Sequence, residues 1–268
     1  MFRLLRVIVR TVLAAIWTGG LFAVIVLCMA LGAVFNGALR KSPSEDTIQR
    51  FGFRARQVIV RFWGRGIARL IGMRILVRGT PPARPFFLVA NHVSHVDAYL
   101  MLAVLGCLFV GKSEVASWPV IGLITRTVGM IFVNREKRSD ALPVNERIAR
   151  ALARGDGVTM FAESTTSRGL EIQPFKTALL EPAIQCHMPV HYATIHYAAP
   201  DGQPPASQWV CWWDGFPLSF GMHTLGVLSH PGFTATVTFG ESPISAPDRK
   251  TLAHKLWEAA SAQFTPID

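Results

Sequence analysis

From Thr11 to Leu39 the chain carries no Asp, Glu, Lys, Arg or His. About 20 apolar residues suffice for a helix to cross the hydrocarbon of a bilayer, so this segment can span it or bend back within one leaflet. A cleaved signal peptide has an apolar region of roughly 7–15 residues, much shorter than this run, and a buried core helix is the other alternative. The run is read as an N-terminal membrane helix. Arg3, Arg6 and Arg10 precede it, whereas Arg40, Lys41, Arg50, Arg54 and Arg56 follow. The larger positive charge on the C-terminal side predicts that the rest of the chain lies on the cytoplasmic side of the inner membrane.

Half of the 268 residues are hydrophobic, and the mean hydropathy of +0.33 is high for a chain of ordinary charge content. Setting the apolar run aside leaves about 230 residues, enough for one α/β domain with a full core. The expected division is an anchor over residues 1–45 and a single domain over 46–268. The net charge is +10, which beside a membrane helix suits anionic headgroups and anionic substrates. No zinc-finger spacing, RNP-like aromatic motif or dense Lys/Arg block is present, which argues against nucleic acid. Cys28, Cys107, Cys186 and Cys211 are scattered in apolar stretches without C-x-x-C spacing, and read as reduced, buried small hydrophobes.

After a polar turn from Lys41 to Asp46, apolar residues recur at helical spacing from Thr47 to Ile71: Ile59, Phe62, Trp63, Ile67, Leu70 and Ile71. With arginines on its other face, this helix either lies along a membrane surface or packs on the domain. Beyond Met73, short apolar runs alternate with helical stretches. The runs are Ile75–Val77, Phe86–Ala90, Leu108–Val110, Met130–Val133, Val158–Phe161, Val190–Tyr197, Trp209–Trp213 and Phe233–Phe239. Alternation of this kind predicts a mixed central sheet flanked by helices, and Ala246–Phe264 reads as a terminal amphipathic helix.

The strand Phe86–Ala90 leads into N-H-V-S-H-V-D, residues 91–97. In one continuous helix His92 and Asp97 would stand about 140° apart, so they meet only across a bend. A strand ending near Ala90, a turn through Ser94 and a helix starting near His95 supply one. Asp97 then accepts from one nitrogen of His92 and fixes its tautomer, leaving the other nitrogen free as a base. His95, two residues from Asp97, points to another side of that helix and is the poorer partner. Taken alone, the stretch is equally compatible with a polar turn holding two satisfied histidines.

Three further stretches follow in order: Gly129-Met-Ile-Phe-Val-Asn-Arg135, Phe161-Ala-Glu-Ser-Thr-Thr-Ser167 and Met188-Pro-Val190. Together with Asn91, His92 and Asp97 they resemble the four motif blocks of the glycerolipid acyltransferase family: N-H-x4-D, G-x-I-F-V-x-R, F-P-E-G-T-R-S and V-P-V. Lys112, Trp118-Pro119 and Gly122 also look like the family. The resemblance covers roughly Phe51 to Pro243.

The resemblance implies transfer of a fatty acyl group from acyl-CoA or acyl carrier protein to the free hydroxyl of a lysolipid. No cofactor, metal or acyl-enzyme is required. His92 is the expected base and Asp97 orients it. Arg135, placed after an apolar strand with a planar fork suited to phosphate, takes the acceptor-binding role. Asn91, Lys112, Glu163, Ser164, Thr165, Thr166 and Arg168 complete the expected substrate-binding set, with Glu163 given no proton transfer. The third block departs from the family at Ala162 for proline, Ser164 for glycine and Thr166 for arginine. Serine grants a positive φ less readily than glycine, and losing the arginine removes a bidentate phosphate ligand, for which Arg168 or Lys176 is a substitute.

The expected acceptor is therefore 1-acylglycerol-3-phosphate, yielding phosphatidic acid. Another lysolipid, such as lyso-ornithine lipid, is the alternative that Thr166 keeps open, and a weakly catalytic lipid-binding relative is a third. A serine hydrolase lacks its G-x-S-x-G elbow here. His187 and His191 have helical metal-pair spacing, but Pro189 between them predicts a strand entry instead. Trp209, Trp212, Trp213 and Asp214 read as core and strand-end residues, or as the lining of an acyl groove.

Overall fold

The computed structural model describes residues 2–38, 45–135, 137–213 and 215–268. Leu39, most of the expected turn from Lys41, and Asp214 lie outside the described residues, as does the side chain of Cys28. Among the described residues, seven strands form one sheet in the order β1-β7-β6-β2-β5-β3-β4. They are β1 (Met73–Arg78), β2 (Phe86–Ala90), β3 (Leu108–Lys112), β4 (Ile131–Val133), β5 (Gly157–Phe161), β6 (Val190–Ala198) and β7 (Phe233–Phe239). Only β6 and β7 pair antiparallel, so β6, β2, β5, β3 and β4 run one way and β1 and β7 the other.

Strand β2 is buried at every position, as expected for a central parallel strand covered on both faces. Phe86, Leu88 and Ala90 enter one apolar core, Phe87 and Val89 the other. The first core is covered by α2 (Glu45–Leu70), α3 (Val96–Leu105), α4 (Ile121–Thr127) through Ile124, and α7 (Phe220–Ser229), the second by α5 (Ala141–Ala153) and α8 (Arg249–Gln263). The period of two along a strand thus builds three layers from one apolar run. The mixed sheet flanked by helices is the architecture that the apolar runs predict.

One run departs from expectation. Trp209–Trp213 forms no strand: it follows a short 3-10 turn at Ala206–Gln208, and Cys211, Trp212 and Trp213 are irregular chain. Its backbone is tied crosswise, with Trp212 N–H donating to Val93 O at 2.9 Å, and its rings point to separate neighbours. Trp209 stacks on His230 at 3.9 Å. Three bulky aromatics serving three environments do not share the alternating faces of a strand.

Helix α1 (Phe2–Ala38) contains the one helix, among the described residues, long and apolar enough to cross a membrane, Phe2–Val24. It is nonetheless attached to the domain. Val7, Ala14, Trp17 and Leu21 pack on the first core, and the ring nitrogens of Trp17 and Trp63 donate to Trp63 O and Thr18 Oγ1. Arg6 and Arg10 donate to carbonyls of Leu228, Ser229, His230 and Pro231 at the end of α7, where helix carbonyls lack internal partners. The opposite face stays apolar and exposed through Leu5, Ile8, Val12 and Ile16. On α2, Val60, Trp63 and Ile67 are buried, as is Ile71 just beyond its end, while Phe62 is exposed and meets Trp17.

Candidate active site

The ends of four neighbouring parallel strands deliver the expected residues to one edge of the sheet. Ala90 is level with Phe161, Val110 with Met160, and Lys112 with Val133. His92, Lys112, Glu163 and Arg135 therefore emerge together beyond the carboxyl ends, the usual ligand crevice of open α/β sheets.

The turn after β2 brings His92 and Asp97 into contact. His92 Nδ1 is 2.7 Å from Asp97 Oδ2, and the same oxygen accepts from the backbone N–H groups of Val93 at 2.8 Å and Ser94 at 3.0 Å. A carboxylate has no donor of its own, so Nδ1 carries the hydrogen and Nε2 presents its lone pair. The ring lies flat on Phe161, centroids 4.0 Å apart, and is partly exposed, whereas Asp97 is fully buried. A buried, oriented carboxylate behind a partly exposed imidazole is the arrangement of a general base.

His95 meets a different environment. It is the residue before α3 and its ring sits among Trp212, Phe220 and His223. Nε2 is 3.3 Å from Thr224 Oγ1, while the buried Nδ1 has no hydrogen-bond partner. Burial, then His223, pushes its pKa down to about 3, so the ring is neutral. Nothing positions it to exchange a proton with Asp97.

Two expected substrate ligands turn inward. Asn91 is buried; its Nδ2 donates to Ile195 O at 3.1 Å and its Oδ1 accepts from Ile195 N at 2.7 Å. Its amide thus extends the β2–β6 ladder by one rung. Glu163 is likewise buried, and its two oxygens accept the backbone N–H of His92 at 2.7 Å and of Gln173 at 3.1 Å. Burial pushes its pKa up to about 8, partly offset by those two donors. In this structure both residues hold the His92 turn, each engaging backbone groups through its side chain.

The third block wraps around that turn. Ser167 N–H donates to His92 O at 2.8 Å, and Ser164 adopts a left-handed φ of 63°, the conformation for which glycine is the usual choice. Arg135 donates to the Ser164 carbonyl, so its guanidinium stands over this loop. Thr165 is exposed and Thr166 half-buried. Arg168 lies over the Trp213 ring, 5.0 Å from its centroid, a cation–π placement. Lys112 makes an exposed pair with Glu114 at 3.0 Å, and Lys176 uses its backbone N–H on Ala162 O.

His187 follows the short helix α6 (Glu181–Gln185) with φ 48°, and His191 lies in β6, so the two share no helix. Cys107 and Cys211 are buried, but Cys186 is exposed. That corrects the expectation for Cys186: it caps the end of α6, where the chain turns out of the core.

Tyr197 went unnoticed in the sequence. Its buried hydroxyl donates to Asp97 Oδ1 at 2.5 Å. The available signal was its position on the alternating face of Ala193, Ile195 and Tyr197 that enters the first core, yet only the register of β6 beside β2 shows what it reaches.

The acyltransferase family profile matches residues 74–196. The 1-acyl-sn-glycerol-3-phosphate acyltransferase of Neisseria meningitidis serogroup B is 36% identical over 145 residues, covering 53% of this chain and 57% of the relative, little more than half of its length. The lyso-ornithine lipid O-acyltransferase of Rhizobium meliloti is 35% identical over 204 residues, covering 70% of this chain and 67% of the relative. Among solved structures, the 1-acyl-sn-glycerophosphate acyltransferase of Thermotoga maritima superposes with a TM-score of 0.54 over 96% of this chain and 97% of that one. At 18% identity, it shares the fold.

Proposed function

Since the chain belongs to the acyltransferase family, we propose that it transfers a fatty acyl group from an acyl thioester to the free hydroxyl of a lysolipid. The observation that carries this reading is His92, held by Asp97 with Nε2 free beyond the strand ends. Nε2 takes the proton of the acceptor hydroxyl as its oxygen attacks the thioester carbonyl carbon. The tetrahedral intermediate collapses with cleavage of the C–S bond, and the departing thiolate receives the proton from His92. The acyl group ends as an ester, with no acyl-enzyme between.

Acyl-CoA or acyl carrier protein is the donor in this reading, and 1-acylglycerol-3-phosphate the acceptor, yielding phosphatidic acid. Arg135 is the phosphate ligand. A lyso-ornithine lipid acceptor is the second reading, favoured by Thr166 standing where the family block has arginine and by Arg168 stacking on Trp213, which leaves fewer cations for phosphate. The enzyme works at the inner membrane with its domain on the cytoplasmic side. Helix α1 stays with the domain through Arg6, Arg10 and Trp17 and turns its apolar face to lipid. Failure of the intact protein to float with lipid vesicles would contradict that placement.

The test is acyl transfer by purified protein in lipid, with labelled acyl-CoA and acyl carrier protein offered against lysophosphatidic acid and lyso-ornithine lipid. Product from lysophosphatidic acid supports the first reading, and product confined to the other acceptor the second. No transfer from either donor overturns both.

A further inference from the structure

The Asp97 carboxylate is held from two sides by chain segments far apart in sequence. Oδ2 accepts three donors from its own turn: His92 Nδ1, Val93 N and Ser94 N. Oδ1 accepts one bond, at 2.5 Å, from the hydroxyl of Tyr197 on β6, a hundred residues away. A length of 2.5–2.7 Å marks a charge-assisted O–H···O⁻ bond, roughly twice as strong as a neutral one. Tyr197 is 1% exposed and Asp97 0%, so no bulk water can replace this donor.

We propose that Tyr197 is a positioning residue of the His92–Asp97 pair. Its hydroxyl fixes the plane of the carboxylate and limits how strongly Asp97 draws the His92 proton. The proposal rests on the acyltransferase reading and deepens it by adding a residue outside the four motif blocks. In the same region, Asn91 clasps both backbone groups of Ile195. Strand β6 therefore buttresses the His92 turn twice, once through each end of the motif.

The groups around the pair leave the phenol as the fixed donor. Burial, then Asp97, holds the Tyr197 pKa well above its ordinary value, so the hydroxyl remains protonated across the working range. Glu163, beyond β5, is pushed up to about 8 by burial. Cys211, on the irregular chain before α7, is raised by burial and then by Asp97. His95 and His223 are pushed down to about 3 and about 4, mainly by burial, and stay neutral. Removal of the phenol hydroxyl strips Oδ1 of its donor. The charge on Asp97 is then less well satisfied and the pair binds a proton more tightly. The basic form of His92 forms only at higher pH.

The sharpest variant is Tyr197→Phe, which keeps the ring against Phe233, centroids 5.5 Å apart in the native chain. The readouts are the pH profile of kcat/KM and the titration of the His92 ring by nitrogen-15 NMR, both on the full chain in detergent or lipid. The expected result is an upward move of the acid limb by about one pH unit, with an equal move in the ring titration. Activity is recovered at alkaline pH and KM for the lysolipid changes little. An acid limb and ring titration that stay in place overturn the proposal, whether activity is kept or lost uniformly.

Should Tyr197→Phe not fold, 3,5-difluorotyrosine at the same position supplies a stronger donor with the shape retained. It is expected to move the titration downward, and no movement overturns the proposal equally. The NMR arm needs no turnover. Absence of acyl transfer by the unaltered protein would sink the proposed function while leaving Tyr197 to be decided by the ring titration.

Discussion

His92 and His95 are three residues apart and meet opposite environments. His92 has a buried carboxylate on one nitrogen, a flat phenyl ring beneath it and an open side for a substrate. His95 has two phenylalanine or tryptophan neighbours, a second imidazole and one hydroxyl. Burial keeps the His95 ring neutral, and only His92 has a built-in site for the charge it gains on taking a proton. A base is made by what stands behind the imidazole, and the bend between Ala90 and Val96 sends two identical side chains to such different places.

Three experiments probe the contrast between the two histidines. His92→Ala should reduce kcat by 10²–10⁴, the usual contribution of a positioned base, whereas His95→Gln should leave kcat near that of the parent and act on stability. Equal losses of turnover in the two variants, measured in the same vesicles, would dissolve the contrast.

Second in size is the response to acid. His95 and His223 have folded pKa values pushed below the ordinary histidine value, to about 3 and about 4. Their contribution to stability is thus present above the unfolded value of about 6.5 and is lost as pH falls below it. Tm should fall on acidification, and His223→Gln should flatten that fall. Glu163 has the opposite sign, since its folded pKa is raised, but it contributes alike to both proteins and cancels in the comparison. Parallel Tm profiles would mean that this aromatic shell tolerates a charged imidazole.

The smallest effect concerns the loop that wraps the His92 side. Ser164 holds φ 63°, a left-handed conformation that costs a non-glycine residue roughly 1–2 kcal/mol. Ser164→Gly should raise thermal stability by about 1 kcal/mol, less the extra chain entropy of glycine, and leave the Arg135 contact to the carbonyl in place. A lowered Tm in thermal denaturation would show that the serine side chain supports the loop.

Much of the sheet was legible because a buried parallel strand announces itself: Phe86–Ala90 has five apolar residues in a row and all are buried. The bend joining His92 to Asp97 was legible too, since five residues along a helix cannot bring the pair together. Trp209–Trp213 misled for the same reason that Phe86–Ala90 did not, as an apolar run records burial and not conformation. Helix α7 carries two glycines, Gly221 and Gly226, and gave a weak helical signal.

At the site, side-chain chemistry could be read but its direction could not. Asn91 and Glu163 look like ligands in a motif, and only the neighbouring Ile195 and Gln173 backbones show that they serve the turn. Tyr197 needed the alignment of β6 with β2, which depends on tertiary pairing and leaves no local pattern.

If Asp97 makes His92 the base, Asp97→Asn should abolish that effect, because the shape of the turn is kept while the acceptor charge is lost. The measurement is kcat for acyl transfer to a saturating lysolipid, with lysolipid affinity determined separately. The expected result is a fall in kcat on the order of 10²–10⁴ with affinity little changed. A variant that turns over at nearly the parental rate would show that His92 works without Asp97, and would contradict the role given to Asp97.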